Sequence, residues 1–269
     1  MQDTVPVSSI VCMAVSCLLG FMIPIVLLVY LLKKKKADLI PFLTGLSVML
    51  IFALILESVV HTVVFKTAFG ETIYRTPWMY ALYGGLMAGL FEETGRLTAY
   101  RTVLRKYMGR NINAVMYGAG HGGFEAAVIL GMTMVNNLMW SFMINSGRTQ
   151  ALTGGYTGEV LEQSQTSIRE LCTTPSWQFL LAGLERILAV IIQIALSVLV
   201  WFAVKNKKRR YLFPAAILIH MAVDAGAVLL AQTDVPLPAV EAVIALAAAA
   251  VAFCARSIYQ AEEAADRSE

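Results

Sequence analysis

Residues 7–32 read VSSIVCMAVSCLLGFMIPIVLLVYLL and are followed at once by four lysines, Lys33 to Lys36. The run carries no charge and is longer than the roughly 20 apolar residues that a helix needs to cross a bilayer. It has no basic stretch before it and no small-residue cleavage site after it. The segment therefore predicts a membrane-spanning helix and not a cleavable signal peptide.

The composition of the whole chain agrees with this first segment. Of its 269 residues, 58% are hydrophobic and only 14% are charged, and the mean hydropathy is +0.68. A soluble domain has about 45–50% apolar and about 25% charged residues, so an ordinary cytosolic globule is excluded. A net charge of +3, spread over short basic clusters, argues against nucleic acid as a partner. Four cysteines without a CxxC pair are interpreted as reduced packing residues: Cys12, Cys17, Cys172 and Cys254.

Further apolar segments predict an all-α, polytopic bundle of about seven transmembrane helices. The predicted segments are 7–32, 38–65, 78–104, 112–143, 177–204, 211–232 and 238–258. We treat 1–269 as a single transmembrane domain, with catalytic helices at about 78–232 and an outer loop at about 144–176. In that loop, Val160, Ile168 and Leu171 fit the apolar stripe of a short surface helix, and a solvated loop fits equally well.

Basic residues in the loops predict the orientation, because cytoplasmic loops carry an excess of Lys and Arg. Alternate loops hold Lys33 to Lys36, then Arg105, Lys106 and Arg110, then Lys205 and Lys207 to Arg210. The opposite loops hold only Lys66, Arg75, Arg148 and Arg169. We therefore place the N-terminus outside and the C-terminus in the cytoplasm, in a multi-pass protein of a prokaryotic plasma membrane that is surrounded by membrane lipids.

Ionisable side chains interrupt five of these segments. They are Glu57 with His61, Glu92 and Glu93 with Arg96, His121 with Glu125, Glu185 with Arg186, and His220 with Asp224. Each charge near the bilayer midplane costs roughly 2.5–3.5 kcal/mol on insertion scales. These groups must therefore face one another or a water-filled cavity inside the bundle.

The distance of these residues from the basic loops, measured along each helix, places three of them at a similar depth. At about 1.5 Å per residue, Glu92, His121 and His220 each lie about 15–20 Å of helix from the nearest basic loop cluster. Three helices thus bring acids and imidazoles to nearly the same level. On the first of them, both Glu92 and Glu93 can reach Arg96, since positions three and four apart are neighbours on a helix.

The same spacing puts a carboxylate beside each imidazole. Glu125 follows His121 by four residues, and Asp224 follows His220 by four. Such a carboxylate fixes the tautomer of the imidazole and raises its basicity. Four glycines, at 118, 120, 122 and 123, surround the first histidine and permit a backbone or a substrate to approach closely.

These groups suit the hydrolysis of a peptide bond. That reaction in a dry site needs an activated water, a general base and donors for the developing oxyanion. We predict that Glu92 is the base, that Arg96 pairs with Glu93, and that His121 and His220 position the water and stabilise the oxyanion.

Zinc is the second interpretation of the same residues. His121, His220 and Asp224 could bind the metal with one open position, as in catalytic zinc sites. The HExxH signature of soluble metalloproteases is absent from the sequence. The first interpretation needs no cofactor, and both remain open at this point.

Three motifs, in this order along the chain, resemble those of the YhfC family of intramembrane proteases. They are Glu92-Glu93-Thr94-Gly95-Arg96, His121-Gly122-Gly123-Phe124-Glu125 and His220-Met221-Ala222-Val223-Asp224. That family is grouped with the CAAX prenyl endopeptidases, the bacteriocin-processing and immunity proteases, and PrsW. The resemblance implies a membrane-embedded peptidase of glutamic or metal-dependent type, acting on membrane-associated peptides or lipopeptides.

The CAAX-protease pattern has two glutamates followed by arginine, an aromatic residue four before a histidine, and a histidine four before Asn or Asp. Here the three elements are matched by Glu92 with Glu93, Tyr117 with His121, and His220 with Asp224. The resemblance implies that Glu92 activates water, His121 orients it, and His220 with Asp224 completes the site. Arg96 lies one residue closer than in CAAX proteases, as the basic residue does in PrsW. An ionised Asp224 cannot donate to an oxyanion, so it would be protonated, bind metal or orient His220.

Two other classes of protein fit the same residues. Chains of acids and histidines inside a bundle also mark proton and ion paths, so a transporter or channel is the first alternative. A non-catalytic immunity or binding protein on the same scaffold is the second. We interpret Glu57 with His61, and Glu185 with Arg186, as structural pairs nearer the outer half of the membrane, although Glu185 could also reach the site.

Overall fold

The computed structural model describes residues 4–267, which form helices and turns with no strand among them. Its helices are α1 (Val7–Lys33), α2 (Leu39–Val64), α3 (Ala68–Arg75), α4 (Pro77–Arg101), α5 (Ile112–Asn145), α6 (Gln150–Thr153), α7 (Gly158–Thr173), α8 (Ser176–Lys205), α9 (Leu212–Ala231) and α10 (Leu237–Asp266). Short 3₁₀ turns at Arg105–Tyr107 and Lys207–Arg209 precede α5 and α9. The predicted all-α, polytopic class is therefore confirmed.

In the described part of the chain, six helices are long and apolar enough to cross a membrane, where the sequence predicts about seven. The remaining predicted segment forms α4, whose 25 residues span about 37 Å. Its length suffices, but Glu92, Glu93 and Arg96 make it too polar to qualify alone. Such a helix is stable in a bilayer only if neighbouring helices cover its polar side chains.

Two of the spanning helices contain a π-helical segment. Residues Met49–Glu57 of α2 and Ala127–Met132 of α5 have the wider π turn. Such segments are rare in α-helices and are frequent at functional sites. The first ends at Glu57, and the second begins two residues after Glu125.

The chain divides into two compact units, whose boundaries fall inside α1, α5 and α8. The smaller unit comprises 4–23 and 126–187. Its apolar core includes Met13, Leu130 and Phe179, and the partly buried Cys12, Cys17 and Cys172 pack against that core. All four cysteines are free thiols, as predicted, and Cys254 is exposed.

The predicted outer loop lies in this smaller unit and is largely helical. Helix α7 covers residues 158–173, so the surface-helix interpretation is the one that the structure shows. Ile168 and Leu171 are buried on it, whereas Val160 is exposed. The apolar stripe is therefore shorter than the sequence indicates.

The larger unit comprises 24–125 and 188–267. Its core contains three aromatic side chains that pack against one another. The ring of Tyr100 meets Tyr117 edge-on at 4.8 Å and Trp201 at 5.1 Å between centroids. The side chains of all three are fully buried. Such edge-to-face pairs contribute about 0.5–1.5 kcal/mol each beyond the area that they bury.

The predicted cytoplasmic loops of this unit meet at one face. Arg110 binds Asp38 at 3.1 Å, which joins the segments before α2 and α5. Ion pairs also join the end of α8 and the following turn to the last turns of α10: Lys205 with Asp266 at 2.5 Å, and Arg209 with Glu262 at 2.9 Å. The basic clusters therefore share one face, while the side of the membrane on which it lies stays a prediction.

Two glycines on α4 let α9 approach unusually closely. They are Gly85 and Gly89, which form a small-xxx-small pair of the kind that brings membrane helices together. A Cβ atom at Gly85 would lie 2.6 Å from the carbonyl oxygen of Met221, and one at Gly89 would lie 2.8 Å from that of Ile217. The sequence analysis did not use this signal, although it sets the α4–α9 distance.

We expect Gly85→Ala to destabilise the protein by about 1–3 kcal/mol, because the new methyl group overpacks against the α9 backbone. Gly84→Ala is the matched control, since nothing lies within 4 Å of a Cβ at that position. Alanine favours a helix by up to about 1 kcal/mol over glycine, so the control should be neutral or more stable. Melting temperatures in detergent micelles test this, and equal melting temperatures would show that α4 and α9 are not in tight contact.

Candidate active site

All seven side chains predicted for the site come together in the larger unit. Helix α4 supplies Glu92, Glu93 and Arg96, α5 supplies His121 and Glu125, and α9 supplies His220 and Asp224. All except Asp224 are buried. We call this set, together with Gln193 of α8, the acid–imidazole cluster.

Glu92 is held through one carboxylate oxygen. Its Oε2 accepts hydrogen bonds from His121 Nε2 at 2.8 Å, Gln193 Nε2 at 3.0 Å and Arg96 Nη2 at 3.3 Å. Three donors on one oxygen fix the orientation of the carboxylate. Its other oxygen, Oε1, lies 4.0 Å from His220 Nε2 and remains available for chemistry.

Glu93 orients His220. Its Oε1 accepts from Arg96 Nη1 and from His220 Nδ1, the latter at 2.8 Å. A carboxylate only accepts hydrogen bonds, so the proton of a neutral imidazole must lie on Nδ1. The Nε2 atom of His220 then presents a lone pair. This is the carboxylate–histidine arrangement that prepares an imidazole to bind a metal or a water.

Asp224 completes this arrangement and makes it accessible from the surface of the protein. Its Oδ2 lies 3.4 Å from His220 Nε2, and its side chain is 42% exposed, against 7% for Glu92. Glu92 Oε1, His220 Nε2 and Asp224 Oδ2 are all electron-rich atoms that face one another. Such a position attracts a proton, a water or a metal cation. A substrate would reach it from the side of Asp224.

His121 lies on a buried stretch of α5, residues 116–123. The sequence pairs it with Glu125, but its hydrogen bond reaches Glu92 on another helix. The ring of Tyr117 stacks on it with centroids 6.0 Å apart. Among residues 4–267, its Nδ1 has no hydrogen-bond partner.

The glycines around His121 accommodate other helices. A Cβ at Gly118 would lie 2.6 Å from Ile194 Cα, and one at Gly122 would lie 2.8 Å from Gln193 Cβ. At Gly120 a Cβ would collide with the backbone of Phe42. A Cβ at Gly123 would lie 2.8 Å from Pro24 Cβ, so the close approach predicted for these glycines is made by helices α1, α2 and α8.

Gln193 is the member of the cluster that the sequence analysis missed. Its carbonyl oxygen accepts from Arg96, and its amide nitrogen donates to Glu92 at 3.0 Å and to Glu125 at 2.7 Å. One amide thus links helices α4, α5 and α8. The available signal was a lone glutamine within the apolar run 188–196 of a spanning helix.

The two pairs interpreted as structural are also observed. His61 binds Glu57 at 3.1 Å and the hydroxyl of Tyr83 at 2.9 Å. Glu57 is buried and lies close enough to the cluster to interact electrostatically with Glu92, His220 and Asp224. It therefore belongs to the same electrostatic environment. In the smaller unit, Arg186 binds Glu185 at 2.6 Å.

The charge balance of the site favours a proton or a cation. The carboxyl groups of Glu92 and Glu93 share the guanidinium of Arg96, and those of Asp224 and Glu57 lie near the same imidazole, His220. An excess of carboxylates over positive charges is costly in a bilayer, so a proton or a metal cation would stabilise the site.

Zinc fits the donor set by atom type. Between residues 4 and 267, no three His, Cys, Asp or Glu side chains are gathered into a ready metal cage. The Nε2 atoms of His121 and His220 nevertheless both face the carboxylate of Glu92, with Asp224 beside the second histidine. Imidazole nitrogens and carboxylate oxygens are the ligands that zinc takes in catalytic sites.

The fold and this cluster define a polytopic membrane protein with a buried acid–imidazole centre, the class to which intramembrane hydrolases belong. The model of the family described as YhfC intramembrane metalloprotease matches residues 19–245. A relative from Bacillus subtilis (strain 168), described as uncharacterized membrane protein YhfC, is 35% identical over 243 residues, which is 90% of this chain and 93% of the relative. The chain therefore belongs to the YhfC family of intramembrane metalloproteases. No solved structure matches it.

Family membership confirms the resemblance carried by the three sequence motifs. It supports intramembrane protease activity at the level of the class and a multi-pass location in the cell membrane. The matched residues include the whole acid–imidazole cluster. The individual roles of its residues remain predictions.

We expect Gln193→Leu to lower stability by about 2–5 kcal/mol. The substitution leaves Arg96, Glu92 and Glu125 short of hydrogen bonds, and each unsatisfied buried group costs about 1–3 kcal/mol. Gln178→Leu, at the half-buried start of the same helix, is the control and should change stability little. Thermal unfolding in micelles compares the two variants, and equal losses would mean that the Gln193 amide does not tie the cluster together.

Proposed function

We propose that the protein is an intramembrane endopeptidase in which Glu92 activates the hydrolytic water. The observation that supports this proposal is the asymmetric environment of the Glu92 carboxylate. One oxygen is fixed by three donors, and the other faces His220 and the exposed Asp224. A base held in one orientation next to the open side of a buried site is what peptide hydrolysis requires.

In this proposal the water occupies the space between Glu92 Oε1 and His220 Nε2. Glu92 takes a proton from the water while the oxygen of that water bonds to the peptide carbonyl carbon. Arg96 and Gln193 keep the carboxylate in place during the transfer, and His121 keeps it ionised by donating from Nε2. Glu92 then passes the proton to the leaving amine as the C–N bond breaks.

The developing oxyanion needs a donor, and His220 can supply one. With a second proton, His220 donates from Nε2 to the oxyanion while its Nδ1 stays bonded to Glu93. Asp224, 3.4 Å from the same nitrogen, stabilises the charged imidazole. Asp224 thereby acts without donating to the oxyanion itself, which resolves the objection that an ionised aspartate cannot do so.

Zinc would be held by His121, His220 and Asp224, with Glu92 remaining as the base beside it. When bound, it would polarise the peptide carbonyl and lower the pKa of a bound water. The excess of carboxyl groups in the cluster also favours a cation. In either form, Glu93 orients His220, and Arg96 balances the charge of the acidic pair.

The proposed substrates are membrane-associated or lipidated peptides. The cluster lies within spanning helices and is exposed only at Asp224, so a peptide must reach it from within the membrane thickness. The predicted orientation places His220 about 15 Å of helix from the cytoplasmic loops and Asp224 about 6 Å farther from them, so the opening of the site lies near the middle of the membrane.

We expect Glu92→Gln to reduce peptide hydrolysis by about 10²–10⁴-fold, because an amide cannot accept the proton from water. The purified protein is incubated with mixed synthetic transmembrane peptides and acylated or prenylated peptides in H₂¹⁸O. Mass spectrometry then detects cleaved fragments with ¹⁸O in the new carboxyl group. Glu185→Gln, which changes a carboxyl group of the smaller unit, is the control and should keep full activity.

Suppose that the peptides are not cleaved and that the protein, through Glu92, dissipates a pH gradient across proteoliposomes. That result would favour the transporter interpretation. Intact peptides with no flux would favour the non-catalytic one. In both cases the melting temperature of Glu92→Gln must remain close to that of the parent protein. Otherwise the comparison is repeated with Glu92→Asp, which retains the charge.

For the metal, we expect about one zinc per chain by elemental analysis of the purified protein, and loss of activity with a chelator. His220→Ala should lose the bound metal as well as activity, because it removes the lone pair that faces Glu92 and Asp224. His61→Ala removes the remaining histidine, outside the cluster, and should keep the metal. Full activity of a zinc-free, chelator-treated preparation would exclude the zinc form of the proposal and leave the glutamate form.

A further inference from the structure

A cavity that lies apart from the acid–imidazole cluster opens on the larger unit. It has a volume of about 790 Å³ and is lined by the start of α5, the middle of α8 and the C-terminal half of α10. None of its lining residues belongs to the cluster. It is therefore not part of the proposed active site.

The groove is basic from its middle to the end near the loops. Lys35, Arg110 and Arg267 line it near the loops, and Arg256 lines it about 16 Å of helix from Arg267, one turn beyond Ala252. The carboxylates nearby already have cationic partners: Asp266 binds Lys205 at 2.5 Å, Glu263 lies 3.9 Å from Arg267, and Asp38 binds Arg110 at 3.1 Å. Among residues 4–267, Lys35 and Arg256 have no carboxylate within salt-bridge distance. The end of the groove therefore has a positive excess.

The rest of the groove is apolar. Its walls come from Ile194 and Val198 of α8, and from Ala252 and Ala255 of α10. The two alanines leave a furrow where larger side chains would fill the space. From Ala252 to Arg267 the groove follows α10 for about 22 Å.

The position of the groove matches the layers of a bilayer. Its basic end adjoins the loops that form the predicted cytoplasmic face, at the level of lipid headgroups. Its apolar part lies deeper along the spanning helices, at the level of acyl chains. A phospholipid has the same order of charge and apolar surface along its length.

We propose that this groove binds one anionic phospholipid of the cytoplasmic leaflet. Lys35 and Arg256 contact the phosphate, and an acyl chain lies along Ile194, Val198 and Ala252. Basic pockets between membrane helices on the cytoplasmic side are recognised sites for anionic headgroups. A free anion makes no use of the apolar wall, and an apolar peptide helix makes no use of the basic end, so the groove fits a lipid better than either.

The test uses the full chain, purified in a neutral detergent. Binding of dioleoyl-phosphatidylglycerol and of dioleoyl-phosphatidylcholine is measured by native mass spectrometry and by the rise in melting temperature. We expect the phosphatidylglycerol to bind more tightly and to raise the melting temperature. We also expect the difference to shrink at high salt, because charges near the surface are screened.

Lys35→Gln combined with Arg256→Gln should weaken phosphatidylglycerol binding about 30-fold. Each basic residue near an anionic headgroup contributes about 1 kcal/mol, and 1.4 kcal/mol is a factor of ten. Lys207→Gln combined with Lys208→Gln is the matched control. It removes the same charge from a neighbouring loop outside the groove and should change binding little.

Ala252→Phe tests the apolar half without changing charge. It fills the furrow and should displace the acyl chain, so that binding of both lipids falls. Glycerol phosphate, which has the headgroup charge and no acyl chain, should compete only weakly with the lipid.

Three results would overturn the proposal. Equal affinity for the two lipids would remove the role of the basic end. Equal weakening by the groove and control variants would mean that any basic residue of that face suffices. Strong competition by glycerol phosphate, together with an unaffected Ala252→Phe, would show an anion site and no lipid site. Loss of peptidase activity alone bears on none of these outcomes, because each readout measures binding.

Discussion

An ionised carboxylate inside a bilayer must be met by donors from the protein, and Arg96 is the donor on which the site depends. Its buried guanidinium contacts both Glu92 and Glu93 and also the carbonyl of Gln193. These contacts fix two adjacent acids in different roles. One acid keeps a free oxygen, and the other is used up in orienting His220. Without the guanidinium, Glu93 would lose the cation that it contacts and Glu92 would lose one of its three donors, so the partners that orient both imidazoles would be less firmly held.

Hydropathy and depth predicted the helices and the convergence of the cluster well, because both depend on the chain's own spacing and on the thickness of the bilayer. The partners of individual side chains were less predictable. Spacing pairs His121 with Glu125, yet its hydrogen bond goes to Glu92, since tertiary packing brings α4 closer than the next turn of α5. Gln193 has no periodic signal at all. The π segments of α2 and α5 likewise have no simple sequence pattern, although one of them ends at Glu57.

The metal and glutamate forms of the proposed mechanism differ chiefly in what meets His220 Nε2. This nitrogen faces two carboxylates, so either a proton or a metal cation bound to it would balance their negative charge. A proton on Nε2 would make the ring a donor for the oxyanion, and a metal held by His220 would supply positive charge at the same place. The same residues therefore support either chemistry, but in the zinc form His121 would have to exchange its hydrogen bond to Glu92 for a bond to the metal. The family description as a metalloprotease weighs toward the cation.

The exposed side chain of Asp224, in an otherwise buried centre, also has a pharmacological consequence. A small molecule that blocks the site must first dissolve in the membrane and then offer a positive charge to a carboxyl-rich opening. Amphiphilic cations with a short, rigid head meet both conditions. Water-soluble anionic compounds, such as typical zinc-chelating drugs, would be repelled at the same point.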